Sequence, residues 1–136
     1  MGERTVEQVR TNLLSVLPSH TCLFAYLFGS MANNRSSRLS DIDIALFLNP
    51  SLPKEECFDI QLLTTAKLDR VIEDRRADIL ILNDAPLRLK FRVLKDGILL
   101  FSFDEMQRVQ FEMQTYLSYF DFQWIELMYT KVTLEG

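Results

Sequence analysis

The chain has 136 residues, the size of one ordinary domain, with 48% hydrophobic and 25% charged residues, a balance that excludes disorder and low complexity. A formal net charge of -4 argues against a broad basic face for gripping nucleic acid. Cys22 and Cys57 are far apart with no histidine in a ligand pattern, which argues against a disulfide framework and a structural zinc site.

Residues 5–17 place Val6, Val9, Leu13, Leu14 and Leu17 at helical spacing, and Pro18 stops the helix. His20 then reads as a surface-loop residue. The apolar run 21–28 ends at Gly29 and predicts a buried strand. Residues 31–40 are small and polar, either a loop or a short weak helix. Residues 41–48 (DIDIALFL) start with strict alternation and end in a solid apolar run, a strand that leaves solvent and enters a core.

Asn49-Pro50 breaks that strand. Phe58, Leu62, Leu63, Ala66, Leu68 and Ile72 predict an amphipathic helix over 54–73. Its end, where Arg70, Arg75 and Arg76 mix with Asp69, Glu73 and Asp74, reads as a solvated, charge-paired terminus. Residues 77–82 form a third strand, Pro86 opens a short helix through Lys95, and Asp96-Gly97 closes it. A brief strand covers 98–101, and a long helix covers 104–130 with Asp104 as its N-cap. The expected fold is α+β (mixed α/β): a three- to four-stranded mixed sheet with helices packed on it, acids clustered at one sheet edge, and a long C-terminal helix. With no repeat, linker or second composition regime, 1–136 reads as a single domain with its core in 19–103.

Three features carry chemistry. Gly29-Ser30 follows a strand directly, and a glycine there permits backbone conformations and close approaches that other residues resist. The Ser30 hydroxyl, beside exposed backbone N–H groups, can bind phosphate, although Gly-Ser alone is also simply a turn. In Asp41-Ile42-Asp43, strand alternation puts both carboxylates on one face, their Cα atoms roughly 6.6 Å apart. Two carboxylates at that separation can flank metal ions roughly 3.5–4 Å apart. Such oxygen donors suit Mg²⁺, although two surface acids at a solvated strand end would look the same. Asp78 opens an otherwise apolar strand and completes the set if that strand pairs beside 41–48.

Together they are far more specific than apart. Gly-Ser, ten residues, then Asp-x-Asp occurs by chance in a chain this short on the order of once in several hundred. The sequence resembles the nucleotidyltransferases of the DNA polymerase β superfamily, whose signature stands here as GSMANNRSSRLSDID. It is most similar to the minimal nucleotidyltransferase (MNT) group, small stand-alone domains paired with HEPN proteins in toxin–antitoxin modules. ADILILNDAP, LKDGILLF and DEMQRVQFE extend the likeness over almost the whole chain.

The resemblance implies roles. Gly29 and Ser30 would hold the triphosphate of ATP; Asp41 and Asp43 would bind two Mg²⁺ ions; Asp78 would be the third acid, helping to activate the attacking hydroxyl. The reaction would move AMP to a tyrosine hydroxyl of a HEPN ribonuclease toxin and silence it. Two rivals are a non-catalytic antitoxin that neutralises by binding and an enzyme that modifies a small molecule. Arg35 and Arg38 match no motif position and read as solvated loop charges.

Seven of the 15 aromatic residues (10 Phe, 4 Tyr, 1 Trp) lie between 111 and 129. One stripe (Met106, Val109, Met113, Leu117, Phe120, Trp124, then Leu127 or Met128) reads as ordinary core packing. A second (Phe111, Phe122, Ile125, Tyr129) calls for a protein partner or a self-dimer. Helix 104–130 is therefore the expected partner-binding element. No apolar run approaches the ~20 residues of a membrane span and no secretory leader is visible, so the expected setting is the cytoplasm.

Overall fold

The structure is a computed structural model that describes residues 3–29, 41–72 and 76–135. In chain order it has α1 (Glu3–Val16), β1 (Cys22–Phe28), β2 (Ile42–Leu48), α2 (Lys54–Val71), β3 (Ala77–Ile81), α3 (Leu87–Asp96), β4 (Ile98–Ser102) and α4 (Glu105–Glu135). The connector 31–40, with Arg35 and Arg38, lies outside the described residues.

The strands form one mixed sheet in the order β3-β2-β1-β4. β1 pairs antiparallel with β2 and with β4, and β2 pairs parallel with β3 across the α2 crossover. The two interior strands are the two most apolar runs of the chain, because a strand covered on both faces has no solvated side on which to alternate. The pairing of β1 with β2 shifts register between Cys22 and Phe24. That bulge turns Leu23 and Phe24 to the same face, and alternation resumes after it.

Each face of the sheet has its own core. On one, Val9 and Leu13 of α1 and Ile60 and Leu68 of α2 pack on Leu27, Ile42, Ile44, Leu46 and Leu48. On the other, Val93 of α3 and Phe111 of α4 pack with Phe24, Tyr26, Ala45 and Leu82. Phe24 and Phe47 stack there, ring centroids 4.5 Å apart, and Phe111 tilts over both.

Polar side chains pin the ends of the elements. The Asn83 amide donates to the Leu48 carbonyl and accepts from its N–H, extending the sheet past β3 with a side chain. Asp69 Oδ1 accepts the Ala77 N–H at 2.8 Å and fixes the start of β3. That residue is thus more than part of a solvated, charge-paired helix end. Asp104 caps α4 by accepting the Gln107 N–H at 3.1 Å, and its other carboxylate oxygen accepts from the Gln107 side-chain amide.

Two helix faces differ from the sequence expectation. In α2 the inward residues are Ile60, Thr64 and Leu68, whereas Phe58, Leu62 and Leu63 face solvent. In α4 the expected core stripe is the exposed one: Met106, Val109, Met113, Leu117, Phe120, Trp124, Leu127 and Met128 are all solvent-facing. The cause lies in Tyr26. Its hydroxyl, on a side chain buried against the sheet, donates to Glu112 Oε1 at 2.6 Å, and Arg108 pairs with the same carboxylate. A buried hydroxyl needs a partner, so the Arg108–Glu112 side of α4 turns inward with Phe111, Thr115 and Tyr119, and the apolar stripe points away.

Candidate active site

The described site residues meet at one end of the strands. Phe28, the last residue of β1, is the register partner of Asp43 in β2, and Asp43 is the register partner of Asp78 in β3. Ile42 and Ile44 enter the core on one face, so alternation turns Asp43 to the other, under α3. Ala77 and Ile79 do the same for Asp78. Asp41 stands exposed just ahead of β2, whose entry is tied down by the Ile42 N–H donating to the Arg76 carbonyl. The acids thus gather at a strand end, Asp43 on interior β2 and Asp78 on edge strand β3; the expected grouping along one sheet edge is corrected to this. A parallel pair puts equivalent strand ends side by side, and that brings two acids 35 residues apart into register.

Gly29 shapes the adjoining corner. Its φ of +78° lies in the left-handed region, and a Cβ built there would stand 2.2 Å from Asp43 Oδ2. Any other residue would meet both backbone strain and the carboxylate. Gly29 therefore lets the chain turn against Asp43. Ser30 lies outside the described residues.

The electrostatics point to a cation-seeking site. Partial burial raises the Asp43 carboxyl above its ordinary pKa, the charges of Asp78 and then Asp41 raise it further, and only the Arg92 guanidinium acts against them. Like charges gathered in a partly dry corner stay together only with protonation, hydration or a counter-ion. Carboxylate oxygens are hard donors, and Mg²⁺ is usually held through one or two of them while keeping water and phosphate ligands. Asp41, Asp43 and Asp78 fit that mode. They do not form a closed cage: among the described residues no three His, Cys, Asp or Glu side chains are grouped tightly enough to hold a metal by themselves.

Arg92, on α3, is the site residue that sequence reasoning missed. The available signal was the basic helix LRLKFRVLKD directly after the strand that carries the third acid. A cavity of about 570 Å³ lies at the other end of the sheet among Leu14, Leu17, His20, Phe101 and Phe103, away from Asp41, Asp43 and Asp78. His20 sits there on an exposed turn, as expected of a loop residue, at a φ of 63°.

Comparison with known proteins identifies the family. The profile described as "Polymerase beta, Nucleotidyltransferase" matches residues 11–106, more than half of the chain and all of the strands. The chain belongs to this nucleotidyltransferase family. No curated protein matches this nucleotidyltransferase significantly. Among solved structures, a toxin–antitoxin crystal structure with AMP-PNP is similar over 87% of this chain and 89% of that chain, with a TM-score of 0.69 and 24% identity. A tri-AMPylated Shewanella oneidensis HEPN toxin in complex with an MNT antitoxin is similar over 88% of each chain, with a TM-score of 0.63 and 23% identity. A minimal nucleotidyltransferase matches over 72% of this chain and 95% of its own, with a TM-score of 0.52 and 23% identity. At these identities the likeness establishes the fold, which is the minimal nucleotidyltransferase fold. No helix among the described residues is long and apolar enough to cross a membrane.

Proposed function

We propose that this nucleotidyltransferase transfers AMP from ATP to a tyrosine hydroxyl of a HEPN-type toxin in the cytoplasm, and so acts as that toxin's antitoxin. The observation that carries the reading is the convergence of Asp43 and Asp78, register neighbours on one face of the sheet, beside Gly29 and within reach of Arg92. Supporting it, structures that share the fold include a toxin–antitoxin with AMP-PNP and an AMPylated HEPN toxin with its MNT antitoxin.

Each residue has a task. Gly29 opens the turn that, with Ser30, cradles the triphosphate through backbone N–H groups and a hydroxyl. Asp41, Asp43 and Asp78 would hold Mg²⁺, which when bound would supply charge neutralisation on the phosphates. Asp78, the outermost of the register pair, accepts the proton of the attacking tyrosine hydroxyl. The tyrosine oxygen bonds to the α-phosphorus, the bond from that phosphorus to the bridging oxygen breaks, and pyrophosphate leaves. Arg92 offsets the negative charge collected beside Asp43.

The test is transfer of label from α-labelled ATP, with Mg²⁺, to a candidate HEPN partner protein, with the Asp41→Asn/Asp43→Asn variant in parallel. The expected result is label on a tyrosine of the HEPN protein that disappears in the variant. Neutralisation of the toxin without label, equal in both proteins, would replace the transfer reading with neutralisation by binding alone.

A further inference from the structure

Helix α4 spans 31 residues, about 46 Å at 1.5 Å per residue. Its inward side is used up early. Phe111 seats on the sheet, Tyr119 stacks on Phe91 of α3 at 3.7 Å, and Arg88 reaches Phe122 and Glu126. Every residue from 120 to 132 is exposed, so the last three turns or so run beyond the body that the first half packs on. Opposite the packed side runs the stripe Met106, Met113, Leu117, Phe120, Trp124 and Leu127, with Met106 82% and Trp124 63% exposed. Around the projecting end, Ile125, Tyr129 (73%) and Val132 open a second apolar face.

We propose that α4 is the seat of the HEPN partner, held in an apolar groove between helices of that protein whose rim is basic. This rests on the function proposed above and adds the surface through which the partner is held. Three observations select the occupant. The first is area: the stripe alone exposes on the order of 900 Å², matching the ~800 Å² that one side of a standard interface buries. The second is shape. The projecting end is apolar on two faces, and a second copy of α4 laid against it would cover one of them, whereas a groove covers both.

The third is charge. Of the five acids on the helix, Glu112 is paired with Arg108 on the packed side, which leaves Glu105, Asp121, Glu126 and Glu135 against Lys131, in a chain of net charge -4. A second copy therefore repels and a basic rim attracts. The seat also serves the chemistry. Phe91 of α3, which stacks on α4, is the chain neighbour of Arg92, whose charge acts on Asp43. The seat and the site are thus separated by α4 and α3, each about 10 Å across, a span that an acceptor loop of the partner can cross.

The experiment compares three proteins: wild type, Leu117→Glu/Trp124→Glu, and Leu62→Glu, which alters the exposed apolar face of α2. Each is measured for its melting temperature, for binding of a fluorescent ATP analogue with Mg²⁺, and for complex formation and labelling with the HEPN protein by light scattering and label transfer. The expected result is that only the α4 variant loses the complex, its dissociation constant rising at least ~100-fold as for paired hot spots. Its melting temperature and nucleotide binding stay at wild-type values, and Leu62→Glu behaves as wild type. An α4 variant that still binds the toxin as wild type does would overturn the seat and leave the transfer function standing. So would a wild-type dimer that the α4 variant turns into a monomer with toxin binding intact. A wild-type chain that neither binds nor labels the toxin would remove the proposed function and the seat together.

Discussion

Asp43 is where the demands of folding and of chemistry oppose each other. Partial burial, Asp78 and Asp41 raise its carboxyl pKa in the folded chain, with Arg92 alone opposing. A group whose folded-state pKa is raised contributes stability that is full below the ordinary carboxylate range and is lost as pH rises through the raised value. Near neutrality the ionised Asp43 thus costs the fold, a strain that the proposed cation binding would relieve. Asp43→Asn should therefore melt a few degrees higher than wild type at pH 7–8 in EDTA. The gap should close as the pH falls into the ordinary carboxylate range, below the raised pKa at which folded wild type takes up its proton. Mg²⁺ should raise the melting temperature of wild type more than that of the variant. A thermal-shift grid of pH against Mg²⁺ measures all of this, and a variant less stable than wild type in EDTA at pH 7.5 would contradict it. This much was legible in the residues, since the Asp-x-Asp spacing already put two carboxylates on one face. Arg92 was not, because nothing in a helical sequence says which strand end its cations will overhang.

The elements were legible where one periodicity dominated. The runs 21–28, 41–48 and 77–82 end within a residue or so of β1, β2 and β3, because continuous apolar runs bounded by Gly, Asn-Pro and polar residues have few other uses. Which way a helix faces was less legible. Both α2 and α4 carry apolar residues on more than one side, and the choice is made by partners remote in sequence: Gln61 donating to the Ile79 carbonyl for α2, Tyr26 holding Glu112 for α4. Asp69 shows how such a contact reaches the site. Its carboxylate holds the Ala77 N–H one residue before Asp78. Asp69→Ala should cost about 1 kcal/mol of stability and lower transfer several-fold by loosening the third acid. Asp69→Asn, which keeps an acceptor oxygen, should keep most of both. Equal losses in the two variants, read by chemical denaturation and label transfer, would mean that the charge and not the hydrogen bond matters.

Over the whole molecule the two sheet faces divide the work. α1 and α2 close one core, while α3 and α4 close the other and carry between them the site's cation and a helix too apolar to stay in water. An interface built on that helix has a thermodynamic signature that a polar one lacks. Burying apolar surface from both partners on the order of 1,500 Å² gives a heat-capacity change of about -0.5 kcal/mol/K or more negative. The centre of the stripe carries no charge from Met106 to Met128, so salt should act only through the rim. Titration calorimetry of this chain into the proposed HEPN partner at four temperatures and two ionic strengths should therefore show a steep fall of enthalpy with temperature. Affinity should change less than about tenfold between 0.05 and 0.5 M salt. A flat enthalpy with strongly salt-dependent affinity would point instead to a charged surface, with the basic helix α3 its natural location, and would assign α4 to another occupant.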